Sequence, residues 1–132
     1  MKPPLVTIEK RDHFYLVAFH EVGNDAVDAW LAQVEQLHRL FQPQDYVAYK
    51  LITPYDKAPS LAYVMKASRE SIRRNPHRPH TRTAVMYYGK DAALLAMLDL
   101  FLRWLTLNPR DQVRFFNHDN DDDANEWLRW RG

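Results

Sequence analysis

The residues of this chain best suited to chemistry fall in two short polar segments, TPYDKAPS from Thr53 to Ser60 and YGKD from Tyr88 to Asp91. Within them Thr53, Tyr55, Lys57, Ser60 and Lys90 combine hydroxyl groups with two ammonium groups, a set suited to holding an anion. Tyr55, Lys57 and Lys90 are also the acid/base groups that a small enzyme would use. No glycine-rich phosphate loop accompanies them, and Gly89, which stands alone, suits a tight turn needing positive φ. The chain has no cysteine, which excludes disulfides, thiolate metal sites and thiol nucleophiles. A nucleophile-elbow pattern is absent, and His13, His20 and His38 are too scattered to define a catalytic group.

Two charged runs offer other chemistry and carry less. Arg73, Arg74, Asn75, Pro76, His77, Arg78, Pro79, His80, Thr81 and Arg82 form the strongly basic cluster. Single-strand nucleic-acid binders interleave aromatic side chains for base stacking, and this stretch has none, so a solvated connecting loop is expected. His77-x-x-His80 contains a proline and lacks a third ligand, so no metal is expected there. The run His118 to Asp123 lacks the mid-loop glycine of an EF-hand, and its aspartates suit a helix N-terminus instead. With 18 basic and 17 acidic residues the net charge is +1, which argues against a dedicated nucleic-acid partner. No cofactor is expected.

These groups need a scaffold, and hydrophobic periodicity supplies one. Val6 to Lys10 and His13 to His20 read as strands of an antiparallel hairpin turning at Arg11-Asp12. Asn24 is expected to cap a helix reaching about Phe41, with Val27, Trp30, Leu31, Val34, Leu37 and Phe41 on one face. Tyr46 to Ile52 reads as a buried strand. A second helix follows, with Pro59 in its first turn and Leu61, Val64, Met65, Ser68 and Ile72 facing inward. Asn75 to Arg82 reads as a loop because of Pro76 and Pro79, Thr83 to Tyr88 as a strand, and Asp91 as the cap of an apolar helix stopped at Asn108-Pro109. Val113 to Phe116 and Asp121 to Trp130 read as a last strand and a terminal helix. The expectation is one α/β domain over residues 1–132, with a mixed, mostly parallel sheet of about five strands, an N-terminal hairpin and about four helices. Right-handed crossovers would join the parallel strands and set Thr53 to Ser60 and Tyr88 to Asp91 at the strands' carboxyl ends, where open α/β sheets bind ligands.

The opening VTIEKRDHFYLVAFH, the segment TAVMYYGKDAA before a Trp/Leu-rich stretch, and the ending QVRFFNHDNDDDANEWL resemble the SpoIIAA-like family of STAS-like domains, relatives of bacterial anti-sigma-factor antagonists. The likeness covers nearly the whole chain. It implies a compact, non-catalytic α/β module that regulates by binding a partner protein or a small anionic or lipophilic ligand. In the antagonists a serine at the start of the second helix, within an Asp-Ser type motif, is phosphorylated by a kinase partner. The matching stretch here, Thr53 to Ser60, lacks that motif. Ser60 is therefore a phosphorylation candidate by position alone, and capping of a local backbone N–H is its expected role.

The apolar segment DAALLAMLDLFLRWLTL, Asp91 to Leu107, has more hydrophobic surface than one core face needs. Read as a helix, Leu94, Leu95, Leu98, Phe101, Leu102 and Leu105 form one stripe. Ala93, Met97, Leu100, Trp104 and Leu107 form a second, the expected interface of a homodimer, unless the terminal helix covers it through Trp127 and Trp130. The run is short of the roughly 20 apolar residues of a membrane span and carries Asp99 and Arg103. MKPPLVTIEK has no apolar signal region, so a cytoplasmic location is expected.

Overall fold

Five strands form one sheet in the spatial order of the sequence: β1 (Val6–Lys10), β2 (Tyr15–Phe19), β3 (Tyr46–Ile52), β4 (His80–Tyr87) and β5 (Asp111–Asn117). The computed structural model describes residues 3–54, 57–88 and 110–129. β1 pairs antiparallel with β2, and β2, β3, β4 and β5 are mutually parallel. The sheet is therefore mixed and mostly parallel, as the βα alternation requires. Among the described residues there are three α-helices, α1 (Asn24–His38), α2 (Leu61–Arg74) and α3 (Asp121–Trp127), the last preceded by a 3-10 turn over His118–Asn120. The expected apolar helix, Asp91 to Leu107, lies outside the described residues, so the count of about four is not reached among them.

Strand alternation divides the core into two layers. Val47, Tyr49 and Leu51 of β3 face one side with Val17 and Phe19 of β2, where Ala26, Val27 and Leu31 of α1 and Ala67 of α2 close over them. Ala48 of β3, Ala84 and Met86 of β4 and Phe116 of β5 face the other side and are covered by Ala124 and Leu128 at the terminal helix. α1 and α2 share a face because both crossovers step through the sheet in one direction with one hand.

Several boundaries differ from the sequence reading. Asn24 is not the cap of α1: Gly23 takes that place with φ −70° and ψ 174°, and its carbonyl accepts from Ala26 N at 3.0 Å and Val27 N at 3.2 Å. The helix ends at His38 and tightens into i→i+3 turns through Leu40 and Phe41. Pro59 precedes the cap of α2 rather than sitting in its first turn. β4 starts at His80, three residues before the expected Thr83, because Pro79 stands just ahead of the strand, where no ladder N–H is needed. The terminal helix stops at Trp127, with Leu128 as its C-cap. Trp127 packs on Phe116, 5.8 Å between ring centroids. It thus belongs to the layer opposite α1 and α2.

Candidate functional site

Between α1, α2 and the face of β3, β4 and β5 that they share lies a cavity of about 540 Å³. Sequence dictates its walls. Every second residue of β4 faces it, so Thr81, Thr83, Val85 and Tyr87 run along one side, with Val113 and Phe115 of β5 beyond. From α2, Leu61, Val64, Ser68 and Ile72 face it. These are four of the five residues whose period predicted an inner face, Met65 being the other, but they are half-buried, and the buried residues of α2 are Ala67 and Ser71, which meet α1. The lining is mainly apolar.

Polar groups concentrate at the amino-terminal ends of β4 and β5. Asp111 accepts from Arg78 Nε at 3.0 Å, again from Arg78 Nη2, and from Thr81 Oγ1 at 2.8 Å. The parallel register sets Thr81 opposite Asp111, so the carboxylate meets the hydroxyl without any loop rearrangement. The Arg78 side chain is only 8% exposed and that of Asp111 only 12%, which corrects the expectation of a wholly solvated loop from Asn75 to Arg82. Glu35 of α1 accepts from Ser71 Oγ at 2.7 Å, Arg74 Nη2 at 2.8 Å and Asn75 Nδ2 at 3.1 Å. Burial alone would raise its pKa, but these donors and the Arg74 charge together hold it below the usual carboxylate value.

Among the described residues, two buried side-chain atoms have no hydrogen-bond partner, His38 Nε2 and Tyr49 Oη, and both residues belong to the cavity wall. Their rings lie 5.8 Å apart. Burial lowers the His38 pKa to about 4, the nearby Arg78 charge acting in the same direction, so the ring is neutral at pH 7. Burial also pushes the Tyr49 phenol well above its ordinary value and keeps it protonated. Unpaired buried polar atoms are uncommon; both of these are sealed within the wall, with essentially no surface of their own.

Of the five residues expected to bind an anion, Thr53, Lys57 and Ser60 are among the described residues. Thr53 and Lys57 line the rim of this cavity at the carboxyl end of β3, and Lys57 is exposed. Ser60 is the N-cap of α2 and accepts from Tyr63 N at 3.3 Å, the capping role expected of it. Tyr55 and Lys90 lie outside the described residues, as do Ala93, Met97, Leu100, Trp104 and Leu107. On the opposite face of the sheet, Lys50 is 7% exposed, ion-paired with Asp121, and donates to Asn125 Oδ1 at 3.0 Å. His13 Nε2 meets the Asn125 carbonyl at 2.7 Å. The acidic run therefore docks and starts α3, and no group of three or more His, Asp or Glu among the described residues can hold a metal ion.

Sequence reasoning missed His38, Tyr49, Glu35, Arg78 and Asp111. A signal existed for two of them: Glu35 follows Leu31 by four residues and His38 follows Val34 by four, which sets titratable groups on the apolar stripe of α1. Nothing in the spacing joins Arg78 to Asp111.

The chain matches no family model, no curated protein and no solved structure. Among the described residues no helix is long and apolar enough to cross a membrane. What the site does is argued from its own geometry.

Proposed function

We propose that this chain is a non-catalytic, STAS-like binding module that takes a small lipophilic ligand between α2 and the sheet. One observation carries the reading: a cavity of about 540 Å³ whose described lining is mainly apolar. Pockets that enclose small molecules span roughly 300–1,000 Å³, with apolar walls and a few placed polar groups. The titrating side chains of the cavity favour binding over catalysis. Glu35 takes three donors on one carboxylate oxygen and Asp111 is bonded by Arg78 and Thr81, and a histidine with a pKa of about 4 is a weak base at neutral pH. The opening hairpin and the parallel βα units that follow are the features of the sheet that agree with a STAS-like domain. Association as a homodimer through Ala93, Met97, Leu100, Trp104 and Leu107 belongs to the same reading and rests on the sequence; light scattering that finds a monomer removes it.

The test of the ligand is fluorescence titration with diphenylhexatriene, a hydrocarbon that emits only when shielded from water. Saturable binding near one probe per chain, lost in Val64→Trp while the circular dichroism spectrum is kept, is expected. Absence of saturable binding, or binding indifferent to Val64→Trp, overturns the proposal.

A further inference from the structure

Charge is distributed unevenly along the cavity. Among the described residues that line it, four side chains are charged at neutral pH: Glu35, Lys57, Arg78 and Asp111. Asp111 is paired with Arg78, and Glu35 with Arg74 from the end of α2. Each carboxylate therefore has its own guanidinium, and the Lys57 ammonium is left over, with no ion pair among the described residues. The parallel register of β3, β4 and β5 sets these charges at opposite ends. Arg78 and Asp111 lie largely buried where β4 and β5 begin, whereas Lys57 is exposed beyond the carboxyl end of β3. The cavity thus has a buried end whose charges cancel and a mouth that carries one positive charge. Between them Thr81, Thr83, Val85 and Tyr87 of β4 line about 20 Å of wall, longer than an extended ten-carbon chain. A charged head group drawn to the buried end would lose its hydration among charges already paired, which costs far more than burying a methyl end there. At the mouth it keeps its water and meets Lys57.

We infer that the ligand is an anionic amphiphile, of the type of a medium-chain carboxylate, which enters tail first and leaves its head group at the mouth beside Lys57. The inference rests on the ligand-binding reading above. The anion and the lipophile that the sequence suggests for this chain are then one molecule. Because Lys57 is exposed, water screens the pairing, so the head group selects among ligands while the apolar tail supplies most of the affinity.

Displacement of bound diphenylhexatriene by decanoate, decan-1-ol and decylammonium, which share one tail and differ in head charge, tests this. Decanoate is expected to compete more tightly than decylammonium by about threefold or more, the range for an exposed ion pair gained in one and a like-charge contact met in the other. Lys57→Glu, a substitution of an exposed side chain, is expected to invert that order and Lys57→Ala to abolish it, while decan-1-ol competes equally with the wild type and both variants. A preference for decanoate that survives Lys57→Glu overturns the inference, as does tighter binding of decylammonium to the wild type. So does a loss of decan-1-ol affinity in Lys57→Glu equal to that of decanoate, which would make Lys57 a part of the wall and not the partner of a head group. In each of these outcomes lipophile binding itself stands. If diphenylhexatriene does not bind at all, that reading fails and the inference with it.

Discussion

Asp111 neutralises a charge that the core would otherwise hold unpaired. It and Arg78 are both largely buried, and its oxygens take two donors from Arg78 and one from Thr81. Asp111→Ala leaves a guanidinium desolvated and unpaired, so urea unfolding is expected to show a loss of about 3–5 kcal/mol. Replacing both partners by apolar residues, Arg78→Met with Asp111→Leu, removes the stranded charge and is expected to recover most of that loss. His38 sets a different dependence. The unfolded chain binds a proton at this ring near pH 6.5, whereas the folded chain resists until about pH 4. Between those values the unfolded state holds more protons, so the His38 contribution is full above pH 6.5 and declines as pH falls to 4. The span amounts to about 3 kcal/mol. Unfolding of wild type and His38→Gln, compared at pH 7 and pH 4.5, isolates it: the variant should lose less stability on acidification, and parallel curves would show that the ring is not held neutral.

At the scale of elements, α2 is the least secured of the described helices, because much of the face it turns to the sheet borders the cavity. Its first turn depends on Ser60, which accepts from Tyr63 N. Ser60→Ala is expected to cost about 1 kcal/mol and Ser60→Asp close to nothing, since a carboxylate caps as well and favours the positive helix end; equal losses in thermal unfolding would mean that the cap is not used. α2 is also joined to α1 by Tyr63, which donates to Asp28 at 2.6 Å, and by the Glu35 cluster. How far these elements could be read from the sequence follows from what fixes them. The strand Tyr46–Ile52 was legible to the residue, because an apolar run between turn residues has one solution; β1 was legible for the same reason, whereas β2 starts at Tyr15 rather than His13 because the turn takes Arg11 to Phe14. The start of β4 was not, because Pro76 and Pro79 break a helix or a central strand and say nothing about a strand that begins one residue later. Periodicity identified the face of α2 correctly, yet could not distinguish a wall of a cavity from a packed interface, since both demand the same apolar spacing. The pairing of Arg78 with Asp111 depends on the register of β4 against β5, a long-range property with no local trace.

For the molecule as a whole, the two faces of the sheet are closed in unlike ways. The α3 face is completed by Ala124 and Leu128, both wholly buried, with Lys50 fixing the helix through Asp121 and Asn125. Among the described residues, the α1–α2 face borders the cavity, and side chains lining it have fewer packing partners than those of the α3 face. Stability should therefore respond to anything that fills this one volume. A ligand that binds only the folded chain adds RT ln(1 + [L]/Kd), about 2.7 kcal/mol at a hundred times Kd. For a chain of this length that corresponds to a rise in Tm of about 10 °C. Decan-1-ol is expected to produce such a shift in scanning calorimetry. Ser68→Leu, which adds apolar volume to the cavity wall from α2, is expected to raise Tm without ligand and to reduce the ligand's effect in proportion. The two responses are linked because the variant side chain and the alcohol compete for the same space. A Ser68→Leu protein that is more stable yet gains as much from decan-1-ol as the wild type would place the alcohol elsewhere on the surface, and a cavity that neither substitution nor ligand affects would be one that the folded chain already closes by itself.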